Sequence, residues 1–235
     1  MQITLDHIKN ETEHISTFFF KTERPVQYTA GQFVELTVQH DHADDRGERR
    51  WFTLSSSPTH ELISITTKYA DKNSSSYKKA LRKLRPGDRL TISDAMGDFV
   101  LPKLIQTPLI FVAGGIGITP FYSMLQYLSE TKEVRPIKLL IGVRSESEIV
   151  FQETFDKAKQ HATIIVSQPS AAWGGERGQL SAELILGLEK PSDDALIYVS
   201  GPEPMVEALH KDLLKAGLKK HQLVGDYFSN YNVDY

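Results

Sequence analysis

Cysteine is absent from the chain, which excludes disulfides, a thiol nucleophile, cysteine-ligated zinc and an iron–sulfur cluster carried on this polypeptide. Redox chemistry, if the chain performs any, must come from a bound organic cofactor. No apolar run approaches the ~20 residues of a membrane helix, and Met1 to Asn10 is polar, without the apolar core of a signal peptide. The expectation is a cytoplasmic protein with no membrane segment in this chain. Neither sign of charge prevails, since 27 Lys and Arg are mixed with 30 Asp and Glu for a formal net charge of -3. There is no basic stripe of the kind nucleic acid demands, so no nucleic-acid partner is expected. Internal repeats and low-complexity linkers are missing too.

What is there is an ordinary globular composition over 235 residues, 40% hydrophobic and 24% charged, enough for one large or two modest domains. Two rhythms divide it. Up to about Pro102 the chain reads as short β-rich segments: Gln2 to Ile8, Ile15 to Thr22, Gln32 to Gln39, Arg50 to Ser55, Leu62 to Lys68 and Arg89 to Ser93. Val34, Leu36 and Val38 alternate as a strand with one buried face requires. Such spacing suggests a small barrel, interrupted by one helix over Ser76 to Leu84. Beyond Lys103 to Thr107, apolar strands alternate with helices. The strands are Leu109 to Ala113, Ile137 to Val143, Thr163 to Ser167, Leu196 to Val199 and Gln222 to Tyr227. The helices are Pro120 to Glu130, Ile149 to Gln160, Ser181 to Leu188 and Pro202 to Ala216. This alternation predicts a parallel sheet wound with helices on both faces. The expected organisation is a β domain at 1–103 packed directly on an α/β domain at 104–235.

The buried run Leu109 to Ala113 leads straight into Gly114-Gly115-Ile116-Gly117-Ile118-Thr119-Pro120, and Phe121, Met124, Leu125 and Leu128 follow at helical spacing. Glycines in such a turn allow positive φ and let the backbone approach a diphosphate. Thr119 is the expected N-cap and Pro120 the first helical residue. Free amides and the helix dipole there favour an anion. The pattern departs from the usual dinucleotide fingerprint, because Pro120 stands where a third glycine belongs and the next strand ends in Arg144-Ser145 instead of an acid. Taken alone, the turn also fits a mere tight connection.

In the β half, Arg50-Trp51-Phe52-Thr53-Leu54-Ser55 resembles the Arg-x-Tyr-Ser/Thr flavin motif of the ferredoxin-NADP reductase family. Other marks of that family stand in order around it: Gly31-Gln32-Phe33, Pro86-Gly87-Asp88, Gly97-Asp98-Phe99, the Gly114 to Pro120 turn, Gly201-Pro202-x-x-Met205 and Asp226-Tyr227-Phe228. The series covers nearly the whole chain. The resemblance implies an N-terminal six-stranded antiparallel β-barrel holding FAD, then a doubly wound parallel α/β domain binding NADH or NADPH, with the cofactors meeting between them.

Residue by residue, the resemblance puts Arg50 on the flavin diphosphate, for which its fork is suited; an ion pair with a nearby acid is the plain alternative. It places Thr53 near the flavin N5 in a catalytic role. Trp51 and Thr66 join the cofactor-binding set, and Phe52 replaces the family tyrosine and can only stack. Lys68 matches a lysine that approaches the nucleotide, though a strand-end lysine is often just solvated. Ser74, Ser75 and Ser76 offer hydroxyls and amides to the diphosphate, while simple helix capping explains the same residues. Gly114, Gly115, Gly117, Thr119 and Pro120 would cradle the nucleotide. Arg144 and Ser145 lie where a 2′-phosphate would be read, with Glu146 and Glu148 opposing one. Ser200 stands where the family has a cysteine beside the nicotinamide and is the second catalytic candidate, flanked by Gly201, Pro202 and Met205. Phe228 and Tyr231 are candidates to cover the flavin.

His40, Asp41, His42, Asp44 and Asp45 are metal-ligand types in a polar connection whose spacing enforces no convergent geometry, so no metal is expected. The leading expectation is hydride transfer from NADH or NADPH to FAD, whose electrons go on to an unspecified acceptor such as a quinone, a metal centre, oxygen or a small electron-transfer protein. One rival is a reductase that uses free flavin as substrate. Another, of a different class, is a module that senses nucleotide or flavin without turnover.

Overall fold

The computed structural model describes residues 1–69, 74–157 and 162–228. In the first half, β1 (Gln2–Asn10), β2 (Ile15–Thr22), β3 (Phe33–Thr37), β4 (Arg49–Thr53), β5 (Ile63–Lys68) and β6 (Arg89–Ile92) form an antiparallel sheet in the order β4-β3-β6-β1-β2-β5. The outer strands meet at the Leu54–Ile65 bridge, where Ser55 N also donates to Ser64 O at 2.8 Å, and the sheet closes into a barrel. Alternate residues such as Ile3, Leu5, Phe18, Phe20, Val34 and Leu36 fill its interior. Helix α1 (Ser76–Lys83) adds Tyr77 and Leu81 to that core, and Ser75 caps it by accepting from Lys78 N at 3.2 Å.

The second half builds a parallel sheet from β7 (Leu109–Gly114), β8 (Ile137–Val143), β9 (Ala162–Val166), the short β10 (Glu176–Arg177), β11 (Leu196–Pro202) and β12 (Leu223–Phe228). Its order is β10-β9-β8-β7-β11-β12. Every residue of β7 is buried, as a central strand covered on both faces requires. Leu109, Phe111 and Ala113 face the side that carries α2 (Thr119–Thr131) and α3 (Gln152–Lys157). Ile110 and Val112 face α4 (Ala182–Leu188) and α5 (Glu203–Lys215). The winding direction reverses between β7 and β11, so the crevice at their carboxyl ends is the natural ligand position. No helix among the described residues is long and apolar enough to cross a membrane.

Two local expectations need correction. Thr119 does not cap α2: a 3-10 turn over Gly115–Ile118 precedes the helix, Ile118 is the cap position, and the Thr119 hydroxyl donates backwards to Ile116 O at 3.1 Å. Thr119 already has helical dihedrals, φ -59° and ψ -45°, so it stands inside the helix and its side chain points back over the preceding turn. The helix expected from Ile149 begins only at Gln152, because Phe151 adopts a left-handed φ of 64°. Its ring stacks on Tyr122 of α2 at 3.7 Å between centroids, a tertiary contact that outweighs local helical spacing.

The halves pack directly on each other through α2. Phe121 stacks on Phe111 at 4.5 Å and tilts against Phe99 of the connecting segment at 5.6 Å, in one core that also takes in Ile15 and Ala30 of the barrel half. Ser123 Oγ donates to Ser56 O at 2.5 Å and Gln126 Nε2 to Ser55 O at 2.9 Å. Phe121→Ala is expected to cost about 3–5 kcal/mol in urea unfolding. A loss under about 1 kcal/mol would show that this contact does not hold the halves together.

Candidate functional site

Strand β4 carries the first part of the site. A cavity of about 490 Å³ is lined by Glu35, Arg46, Arg49, Arg50, Trp51, Phe52, Thr53, Thr66, Ser75, Tyr77 and Lys78, and from the second half by Ile116, Thr119 and Tyr227. Phe52 is buried in the barrel core and stacks on Tyr77 at 6.0 Å, while Trp51 is 60% exposed. Arg50 lies 5.0 Å above the Tyr77 ring. Its Nη1 donates to the carbonyls of Arg46, Gly47 and Arg49 at 2.6, 3.1 and 2.6 Å, and its Nη2 to Asp44 at 3.2 Å. Asp44 also accepts from Ser76 N at 3.0 Å, and the Ser76 hydroxyl accepts from Asp44 N at 2.9 Å and sits 3.0 Å from His40 Nε2. The polar connection after β3 thus ties α1 to Arg50. Among the described residues no group of three acids or histidines is arranged to hold a metal.

The glycine turn supplies the second part. A cavity of about 320 Å³ is lined by Lys68, Gly114, Gly115, Ile116, Gly142, Arg144, Glu148, Gln168, Leu180, Pro202 and Met205, around the carboxyl ends of β7, β8, β9 and β11. Gly115 has a left-handed φ of 53° with open space where a side chain would be, so a ligand can reach the backbone. Gly117 is a glycine for another reason: a Cβ there would lie 2.2 Å from Ser200 O, closing β7 onto β11. Lys68 Nζ meets Glu148 at 2.7 Å, and Arg144 Nε donates to Gln168 Oε1 at 3.0 Å. Ile116 lines both cavities and is their shared wall.

The structure therefore gathers Arg50, Trp51, Phe52, Thr53, Thr66 and Ser75 at the first cavity, joined by Thr119. It gathers Lys68, Gly114, Gly115, Arg144, Pro202 and Met205 at the second. Ser74, Ser76, Gly117, Pro120, Ser145, Ser200 and Gly201 line neither. The Ser145 hydroxyl sits 2.8 Å from Ser147 instead. Ser200 is wholly buried, its hydroxyl donating to Asp226 Oδ2 at 3.4 Å. The Phe228 backbone pairs with Pro202; its side chain and Tyr231 lie outside the described residues. Sequence reasoning passed over Tyr77, which reaches the cavity through the packing of α1 in the barrel core, and Ile116 and Tyr227, whose importance depends on the packing of one half against the other. Asp226 was visible only as part of a motif, although an acid in the last apolar strand was a signal of burial at a cost.

Residues 111–211 match the family of oxidoreductase NAD-binding domains. The chain is 24% identical over 220 residues to the NADH oxidoreductase HCR of Escherichia coli strain K12, covering 93% of this chain and 66% of that protein. The chain spans between 54% and 66% of the length of this and other curated relatives. Its fold matches the FAD/NAD-binding domain of nitric oxide dioxygenase from Vibrio cholerae with a TM-score of 0.84 at 19% identity, covering 97% of this chain and 98% of that one. It matches a ferredoxin NADP+ reductase from Neisseria gonorrhoeae, solved with FAD and NADP bound, with a TM-score of 0.81 at 18% identity over 97% and 98% of the chains.

Asp226 gives the site a pH signature. Burial pushes its carboxyl up to about 6 from an ordinary 3.8, the Ser200 bond opposing and the charge of Asp98 adding. The folded protein thus keeps a proton that the unfolded chain releases, so this group's contribution to stability declines as pH rises from the ordinary value through the raised one. Asp226→Asn removes the decline. Relative to wild type it is expected to gain about 2–3 kcal/mol between about pH 4 and about pH 7 in urea titrations. A stability difference that stays constant with pH would mean that Asp226 ionises like a solvated carboxyl.

Proposed function

We propose that the protein, whose residues 111–211 match the family of oxidoreductase NAD-binding domains in a chain with the fold of ferredoxin-NADP reductase, is an FAD-dependent oxidoreductase that takes hydride from NADH or NADPH and passes the electrons to an acceptor. The single observation that carries this reading is the shared wall at Ile116, which sets two cavities of different chemistry side by side. Hydride transfer needs its donor and acceptor atoms in van der Waals contact, and adjoining cavities offer that. In this reading residues 1–103 hold the flavin and 104–235 the nucleotide, and the whole works in the cytoplasm.

The first cavity suits a flavin because it combines cations for a diphosphate, rings for stacking and hydroxyls for a heterocycle edge. Bound FAD would supply the hydride-accepting chemistry that no side chain here possesses. Arg50 and Ser75 would hold the diphosphate, Trp51 and Phe52 would stack, and Thr53 would hydrogen-bond the reacting edge. In the second cavity the open backbone at Gly115 and the charge of Arg144 would receive the nucleotide phosphates. Ser200 takes a positioning role, since its carbonyl fixes the approach of Gly117 and its hydroxyl meets Asp226. A second reading, flavin as a substrate that comes and goes, is favoured by Phe52, whose ring is already stacked within the barrel core and carries no hydroxyl.

The test is an anaerobic absorption spectrum with FAD, before and after NADH or NADPH in separate samples. Bleaching of the flavin band is expected, faster with the preferred nucleotide. Arg50→Ala is expected to weaken FAD binding about 10- to 100-fold, the value of charge-assisted hydrogen bonds. Flavin that stays with the protein through gel filtration marks a prosthetic group, and flavin that separates yet is reduced marks a substrate. A protein that neither binds FAD nor bleaches it overturns the proposal.

A further inference from the structure

Lys68 and Glu148 meet at the second cavity from opposite halves of the molecule. Lys68 ends β5 of the barrel half, and Glu148 ends the 3-10 turn Glu146–Glu148 that follows β8. Both line the cavity, their charged atoms lie 2.7 Å apart, and their side chains are only 12% and 15% exposed. So little water reaches the pair that it is not screened as a rim contact would be. The turn is pinned where it delivers Glu148. On one side Glu146 Oε1 accepts from Ser170 N at 2.9 Å, and on the other Phe151 is stacked on Tyr122 of α2. Lys68 is anchored too, since Lys78 Nζ, from the wall of the first cavity, donates to its carbonyl. With the backbone tied down on both sides, the ammonium and the carboxylate are the parts able to separate.

The other polar groups of the cavity are those of an anion site. Arg144 lines it, and its Nε donates to Gln168 Oε1, a neutral partner that cancels none of its charge. Gly115 opens its backbone to the same space. Among the described residues Glu148 is the one acid that lines the cavity, and it lies on a cation. An acid whose task was to join the halves could do so anywhere along their contact; this one occupies a cation that an anionic ligand would use. The two roles differ in sign. Removing a strut loosens the interface and weakens every ligand, whereas removing a competitor tightens the ligands that compete with it.

We propose that Glu148 is an internal stand-in for a nucleotide phosphate: it holds Lys68 while the cavity is empty, yields the ammonium to the diphosphate of an arriving nucleotide, and takes it back as the nucleotide leaves. The inference rests on the functional reading above, in which this cavity receives NADH or NADPH. Exchange suits the chemistry, because carboxylate and phosphate oxygens are equivalent acceptors for an ammonium, and the buried donor keeps a partner at each stage. While nucleotide is bound, Glu148 is an anion beside a second anion, and the repulsion lowers affinity. The lowering serves turnover. A nucleotide arrives and departs with its phosphates unchanged, so a grip on them is the same before and after hydride transfer and accelerates nothing once the site is full. Glu148 acts through Lys68 as a positioning residue and does not touch the reacting atoms.

The experiment measures, by calorimetry, binding of ADP and of adenosine to the FAD-loaded protein, with flavin in excess so that the first cavity stays filled. The two probes differ only in the diphosphate. Glu148→Gln keeps the shape of the side chain and removes its charge. It is expected to bind ADP ~10-fold more tightly than wild type, the scale of one charge-assisted hydrogen bond, with adenosine unchanged. In a Lys68→Met background the same substitution is expected to gain less than ~3-fold, because no ammonium remains to compete for. ADP binding that is unchanged, weaker or undetectable in Glu148→Gln would overturn the stand-in and mark the pair as a strut. An equal gain for adenosine, or a full gain in the Lys68→Met background, would overturn it as well. Each of these results leaves the oxidoreductase reading intact as long as NADH or NADPH bleaches the flavin of the wild type. A wild type whose flavin is not bleached overturns that reading, and the stand-in with it.

Discussion

The two cavities are built on different sheets, so the distance between them is set by whatever holds the sheets in register. That constraint is the buried face of α2. Phe121, clamped between Phe111 of the parallel sheet and Phe99 of the segment leaving the barrel, fixes the translation of one half on the other. Ser123 and Gln126, bonded to the carbonyls of Ser56 and Ser55, fix the rotation. The polypeptide enters α2 from the glycine turn, so Ile116 comes to line the barrel cavity. The two cavities thereby share one joint and require no separate device to bring them together.

Most of the fold was legible because both halves obey simple periodicities. Alternation in Val34, Leu36 and Val38 announced a strand with one buried face, and the unbroken apolar run Leu109 to Ala113 announced a central one. Failures occurred where the backbone took another conformation than local spacing implied. Thr119 has the right chemistry for a helix cap, but it already has helical dihedrals behind a 3-10 turn, which leaves Ile118 at the cap position. Phe151 has helical spacing, but its stacking on Tyr122 requires a backbone that no helix contains. The Phe151 choice is not visible along the chain, because it is decided by a partner brought in by folding, whereas Thr119 is shifted by the 3-10 turn formed by its own neighbours.

The site was legible to a similar depth. Local motifs on β4 and around Gly115 identified residues that do converge, because a strand or a tight turn delivers neighbours in sequence to one place. Ile116 and Tyr227 were not legible, since each reaches the cavity of the opposite half. Ser200 shows the limit in the other direction: a motif position can be filled by a residue whose side chain turns away from the ligand crevice and satisfies a buried acid.

Arg50 carries one further consequence. A free arginine has roughly 2 kcal/mol of rotamer entropy to lose when it grips an anion. Here three loop carbonyls, Asp44 and the face of Tyr77 have already confined the guanidinium during folding. In the proposed reading an arriving phosphate would meet a preorganised cation, and the ordering penalty would belong to the stability of the barrel instead of to the affinity for the ligand.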